Sequence, residues 1–108
     1  MGKHSAEDLV RAVLEQTVRG KLKWGVSNDS PPEYVAAVPR RYHFMLRVER
    51  EPQTKDWRQR FVLRDELDTE LLAVTSTSCS LVTELYEAIR QTVASEAIDE
   101  AFAQVAKL

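Results

Sequence analysis

Between residues 41 and 50 the side chains alternate without a break. Tyr42, Phe44, Leu46 and Val48 fall on one side; Arg41, His43, Met45, Arg47 and Glu49 fall on the other. A period of two is the mark of an extended strand with one buried face and one polar face. Whatever else the chain does, it must cover the apolar side of this strand.

Neighbouring segments supply partners for it. Trp57–Arg64 carries Gln59, Phe61 and Leu63 opposite Arg58, Arg60, Val62 and Arg64, and Glu51–Asp56, with Pro52, reads as the hairpin loop between the two strands. Tyr34–Val38 is a shorter strand ending at Pro39, where a turn is expected. Leu71–Thr75 can add a fourth after the acidic turn Asp65–Glu70. Short connections make every pairing a hairpin, so the sheet is expected to be an antiparallel meander of three to four strands.

Helices flank this meander. Ser5 is placed to cap a first helix over about 5–19, with Asp8 at the position of a capping box and Gly20 as the terminating residue. Leu9, Val10, Val13, Leu14 and Thr17/Val18 form its apolar stripe. Trp24 is expected to lock the helix exit against the sheet, with its indole N–H near the surface. Residues 28–32 read as a loop. After the polar run 75–80, in which Ser80 best suits the cap, Leu81, Val82, Leu85, Tyr86, Ile89 and Val93 recur at helical spacing. Ser95 can cap a third helix with Ile98, Ala101, Phe102 and Val105 facing inward. Neither glycine nor proline separates Val93 from Ala97, so residues 80–107 form either one helix or two. The expected fold is a single α+β domain over 1–108: a two-layer sandwich whose meander is covered on one face by the N-terminal helix and one or two C-terminal helices.

Charge divides along the chain. Residues 40–64 hold eight Lys/Arg against three acids, while the chain as a whole has a net charge of −2. The basic block is the strand region and the acidic flanks are mostly helix. Arg41, Arg47, Arg58, Arg60 and Arg64 share the open face of the sheet and are the candidate partner-binding residues, because guanidinium groups pair with carboxylate or phosphate in planar geometry. The competing explanation is that these arginines balance Glu49 and nearby acids across the strands.

Catalytic and metal chemistry find little footing. Cys79 is the single cysteine, which excludes an internal disulfide and fits a reducing cytoplasm. It lies at a strand-to-helix junction as a small half-buried residue, and His43 belongs to the arginine face, so no nucleophile–base pair is expected. One cysteine and two distant histidines give no zinc spacing. The acidic turn lacks the glycine and spacing of an EF-hand loop. Three glycines, at 2, 20 and 25, cannot build a phosphate-binding loop. No apolar leader opens the sequence, Ala6 departs from the myristoylation pattern, and no apolar run is long enough for a membrane span. No cofactor is expected.

Taken together, Gly20-Lys21-Leu22-Lys23-Trp24 after a first helix, the strand meander, Glu84-Leu85-Tyr86-Glu87-Ala88-Ile89-Arg90 and Ile98-Asp99-Glu100-Ala101-Phe102 resemble a group of small bacterial and phage α+β domains with no assigned activity. Their pattern is helix, G-K-[IL]-x-W, meander, L-Y-x-x-[AI]-R and a C-terminal I/V-D-x-x-[LF]. The resemblance spans most of the chain, departs from the group at Ala94-Ser95, where a glycine is usual, and carries over no catalytic residue. It implies an adaptor beside other domains, phage- or defence-associated. The expected function is a non-catalytic protein–protein interaction or accessory module, binding an acidic protein or a second copy of itself. Nucleic-acid binding through the same basic face is the alternative; it is disfavoured because Tyr42, Phe44 and Phe61 share the apolar face and leave no stacking platform there.

Overall fold

The computed structural model describes residues 2–38 and 41–108; Met1, Pro39 and Arg40, and with them the turn expected at Pro39, lie outside the described residues. Helix α1 spans Ala6–Val18. Its start is a complete capping box. The Asp8 N–H donates to Ser5 Oγ at 3.1 Å, and the Ser5 N–H donates to Asp8 Oδ2 at 2.9 Å. That backbone donor holds the Asp8 carboxyl below its ordinary pKa of 3.8. The folded value lies below the unfolded one, so this contribution is present at neutral pH and is lost as the pH falls through the lowered value. At the other end Gly20 adopts φ 75°. Its N–H reaches Thr17 O and the Lys21 N–H reaches Gln16 O, both at 3.0 Å, the paired bonds of a Schellman motif.

Five strands follow: β1 (Gly25–Asp29), β2 (Pro32–Val38), β3 (Tyr42–Arg50), β4 (Trp57–Asp65) and β5 (Glu70–Thr75). They pair in sequence order and all antiparallel, as a meander. The strand beyond the expected four is β1, which runs into the loop expected at 28–32. All five of its residues are exposed, so no alternation marks it. Pairing with β2 creates it, through Gly25↔Val35 and Val26↔Tyr34, and Ser27 Oγ donates to Glu33 Oε1 at 2.8 Å.

Strand phase is as expected. Phe44, Leu46 and Phe61 are buried beneath the helices with Tyr34 and Ala36 of β2, and the Phe44 and Phe61 rings lie 5.4 Å apart. Tyr42, at the end of that row, is 38% exposed. Val10 and Val13 of α1 close the cluster from above, with Leu81, Val82, Leu85 and Ile89 of the second helix. Trp24 differs from expectation. Its indole N–H is buried and donates to Thr17 Oγ1 at 2.9 Å, while the Thr17 hydroxyl donates to Val13 O at 2.8 Å. A single hydroxyl thus satisfies both polar groups inside the core.

Helix α2 is one uninterrupted element, Ser80–Ala106. The Ala94-Ser95 pair does not break it, since alanine is the strongest helix former and Ser95 has neighbours on both sides that propagate the turn. Cys79 rather than Ser80 occupies the N-cap position, and its side chain makes no capping bond. The polar run before it is spent on the turn itself: Ser78 and Cys79 N–H both donate to Thr75 O, and Ser76 Oγ accepts the Gln59 N–H.

The larger correction concerns the end of α2. Ile98, Phe102 and Val105, expected to face inward, are 67%, 75% and 65% exposed, and every residue from 94 onward is exposed. Ile89 and Ile98 are nine residues apart, about two and a half turns, so the stripes that contain them lie on opposite sides of the helix. The first faces the sheet; the second faces away from it. Glu96 confirms the phase, since it lies on the body side and reaches Lys23 Nζ at 3.8 Å.

Replacing Thr17 with valine keeps the shape but strips the Trp24 indole of its buried acceptor. Thr17→Val is expected to lower the unfolding free energy by about 1–3 kcal/mol in urea titration with an unchanged slope. An unaltered midpoint would show that the indole finds another acceptor.

Candidate interaction surfaces

The open face of the sheet is built from rows that run across the strands, His43–Arg64, Met45–Val62, Arg47–Arg60 and Glu49–Arg58 on the β3–β4 pair. One row is apolar: Val35, Met45, Val62 and Ala73 sit opposite one another on β2 to β5. Met45 is 3% exposed and Val62 is fully buried, although both lie outside the cluster beneath the helices. Long side chains in the flanking rows cover them. Arg47 and Arg60 stand on one side, His43 and Arg64 on the other. Arg47 Nε and Arg64 Nε are themselves buried without a hydrogen-bond partner. The arginine stems thus lie across the apolar row and keep their outer nitrogens at the surface.

Those outer nitrogens meet carboxylates. Glu49 is the hub. It accepts two hydrogen bonds from Arg58, at 2.7 and 2.9 Å, and lies 3.7 Å from Arg47 and 4.0 Å from Arg60. Arg60 pairs with Glu70 at 2.9 Å, and Arg47 approaches Glu33 at 3.9 Å. On the far side of the apolar row, Asp68 pairs with His43 Nε2 at 2.9 Å and approaches Arg64 at 3.9 Å. Glu33 comes from β2, and Asp68 and Glu70 from the β4–β5 connection and β5, all outside the basic block of the sequence. The sheet therefore matches in space a charge that is unmatched along the chain.

Of the five candidate arginines, the structure brings Arg47, Arg58 and Arg60 together around Glu49. Arg64 stands apart beside Asp68. Arg41 is exposed in the turn before β3, with its guanidinium 5.6 Å from the Tyr42 ring centroid. A second exposed cation–aromatic pair was not anticipated: Trp57 is 55% exposed, and the Arg50 guanidinium lies 4.4 Å from its ring centroid. Trp57 is the first residue of β4 and shares the phase of Gln59, Phe61 and Leu63, so nothing in the sequence marks it as exposed.

The acidic turns serve their own backbones. Asp65 Oδ1 accepts the Leu67 and Thr69 N–H groups at 2.9 Å, and Glu51 Oε2 accepts those of Gln53 and Thr54, which lowers the Glu51 pKa. Among the described residues no group of three or more His, Cys, Asp or Glu side chains is placed to hold a metal ion. Cys79 packs against the core beneath the helices, while His43 is on the opposite face of the sheet. No helix among the described residues is long and apolar enough to cross a membrane.

The second surface is the free half of α2. Ile98, Phe102 and Val105 follow one another at four and three residues along one side, with Leu108 beyond. At the base of this stripe an open groove of about 430 Å³ is lined by Tyr34, Glu87, Arg90, Val93, Ala94 and Ala97. The residues of the stripe were legible in the sequence; their direction was not. Compared with known proteins, the chain matches no family model, no curated sequence and no solved structure.

Glu49 is part-buried and shared by three arginines, whereas Glu96 makes one exposed contact with Lys23. Glu49→Gln is expected to destabilise the fold by about 1–2 kcal/mol and Glu96→Gln by less than about 0.5 kcal/mol, measured by chemical denaturation. Equal effects would mean that the ladder contributes no more than a surface pair.

Proposed function

We propose that this chain is a small non-catalytic module that works by protein–protein contact, as an accessory to a larger bacterial or phage system. One observation carries this reading: the outward apolar stripe Ile98, Phe102, Val105 on a helix end that covers nothing in its own domain. Soluble monomers rarely keep a contiguous apolar patch in water unless it is used. The lone, half-buried Cys79 is compatible with work in the reducing cytoplasm. A likeness to the small bacterial and phage domains, with their adaptor role, would agree with this.

The arginine face is a second candidate contact for an acidic protein. Docking there exchanges carboxylates already in place for new ones, so the gain in Coulomb energy is small. Nucleic-acid binding through Arg41, Arg47, Arg58, Arg60 and Arg64 faces the same cost. It has one supporting feature, the exposed Trp57 with Arg50 over its ring, which can stack a base.

Affinity capture from the native host separates these cases. The bait is used as the wild type, as Phe102→Glu and as Arg47→Glu/Arg60→Glu. Phe102→Glu is expected to lose every specifically associated protein, including other copies of the chain, with a thermal midpoint within about 2 °C of wild type because the site is exposed. Loss confined to the double arginine variant moves the contact to the sheet. No specific protein with any of the three sinks the interaction reading, and oligonucleotide binding that weakens steeply with salt replaces it.

A further inference from the structure

We propose that the free half of α2 pairs with the same segment of a second copy, as an antiparallel two-helix contact. This rests on the stripe being an interaction surface and names its occupant. Two features of the segment select a second copy.

Size complementarity is the first. Along the outward side, the stretch nearer the body is small, with Ala94 and Ala101 beside Ile98, and the stretch nearer the tip is large, with Phe102, Val105 and Leu108. An antiparallel alignment with its two-fold axis between Asp99 and Glu100 sets Val105 against Ala94 of the second copy and Ile98 against Ala101. Large meets small at both levels, and the symmetry makes each contact occur twice. A parallel alignment would set Phe102 against Phe102 and alanine against alanine, crowding one end and leaving the other empty.

Glu96, Glu100 and Lys107 lie on the opposite side of the helix from the stripe by helical phase, while Asp99, one turn before Phe102, flanks it at the exposed edge. The two Asp99 side chains of a pair stand on the same side of the two-fold axis and close to it, which holds the affinity down. Towards the body the outward side turns polar at Gln91 and Glu87, so the alignment uses the whole apolar stretch and stops where it ends.

Area and access are the second. The outward direction keeps the two sheets from colliding, because each lies behind its own helix. Four large side chains at least 65% exposed, with the alanines between them, amount to roughly 500 Å² per copy, or about 1,000 Å² in all, the lower bound for a specific interface. Such a contact forms and dissolves with concentration.

Sedimentation equilibrium on the purified chain tests the pairing. The wild type is expected to approach twice the monomer mass as concentration rises, while Phe102→Glu and Val105→Glu remain monomers with unchanged thermal midpoints. Orientation is read by oxidation in a Cys79→Ser background. A mixture of Gln91→Cys and Leu108→Cys chains is expected to form disulfide-linked dimers that neither chain forms alone. Linkage of Leu108→Cys to itself would overturn the antiparallel arrangement. A wild type that stays monomeric at every concentration overturns self-pairing. If the host capture then still yields another protein that Phe102→Glu loses, the interaction reading stands with a different occupant; if it yields none, both fall.

Discussion

Everything in this molecule is referred to the apolar face of the β3–β4 pair. Phe44, Leu46 and Phe61 present a flat hydrophobic surface that water cannot be left to cover, and α1 and the first half of α2 are the elements that close it. Their closure sets the rest. It leaves the other face of the sheet to the arginines and sends α2 off along a line that runs past the core. It also brings the exit of α1 over Trp24, whose indole can be buried only because Thr17 supplies an acceptor beside it. Burial and polar satisfaction are solved together there, by one threonine and one tryptophan seven residues apart.

The open face solves a different problem with the same means. A sheet face turned toward solvent does not have to be polar throughout; here it holds a hidden row in which Met45 and Val62 are as inaccessible as core residues. Arginine is suited to this task because its stem is apolar and its head is planar and permanently charged. Glu33, Glu49, Asp68 and Glu70 then fix the heads. The result is a face whose charges are spent on one another, which explains how a strongly basic stretch can coexist with a chain that is mildly acidic overall.

Helix α2 joins two amphipathic surfaces of opposite direction. Its first half is ordinary core material and its second half carries an apolar stripe turned away from the domain. The folded body holds one end of the helix, and the other end extends from it as exposed helix. A helix that is already formed does not have to be ordered on binding. The functional proposal therefore depends on helical phase more than on the identity of any one residue.

Much of this was legible in local patterns. The period of two in residues 41–50, the capping box at Ser5 and Asp8, Gly20 as terminator and the stripe from Leu81 to Val93 each follow from a few neighbouring residues, and each is found in place. The fifth strand was invisible because Gly25–Asp29 has no buried face; only its ladder with β2 makes it a strand. Glu33 and Glu70 gave no sign of pairing with Arg47 and Arg60, because strand register alone brings them together. The direction of Ile98 and Phe102 was hidden in a phase relation across nine residues, which becomes apparent only once the helix is continuous and its first half is anchored on the sheet. Chain chemistry by itself determined which segments are strands or helices with a buried side, because those preferences act over one or two turns. Tertiary structure alone decided which charges meet and which apolar stripe is left outside, because both depend on contacts between residues far apart in the chain.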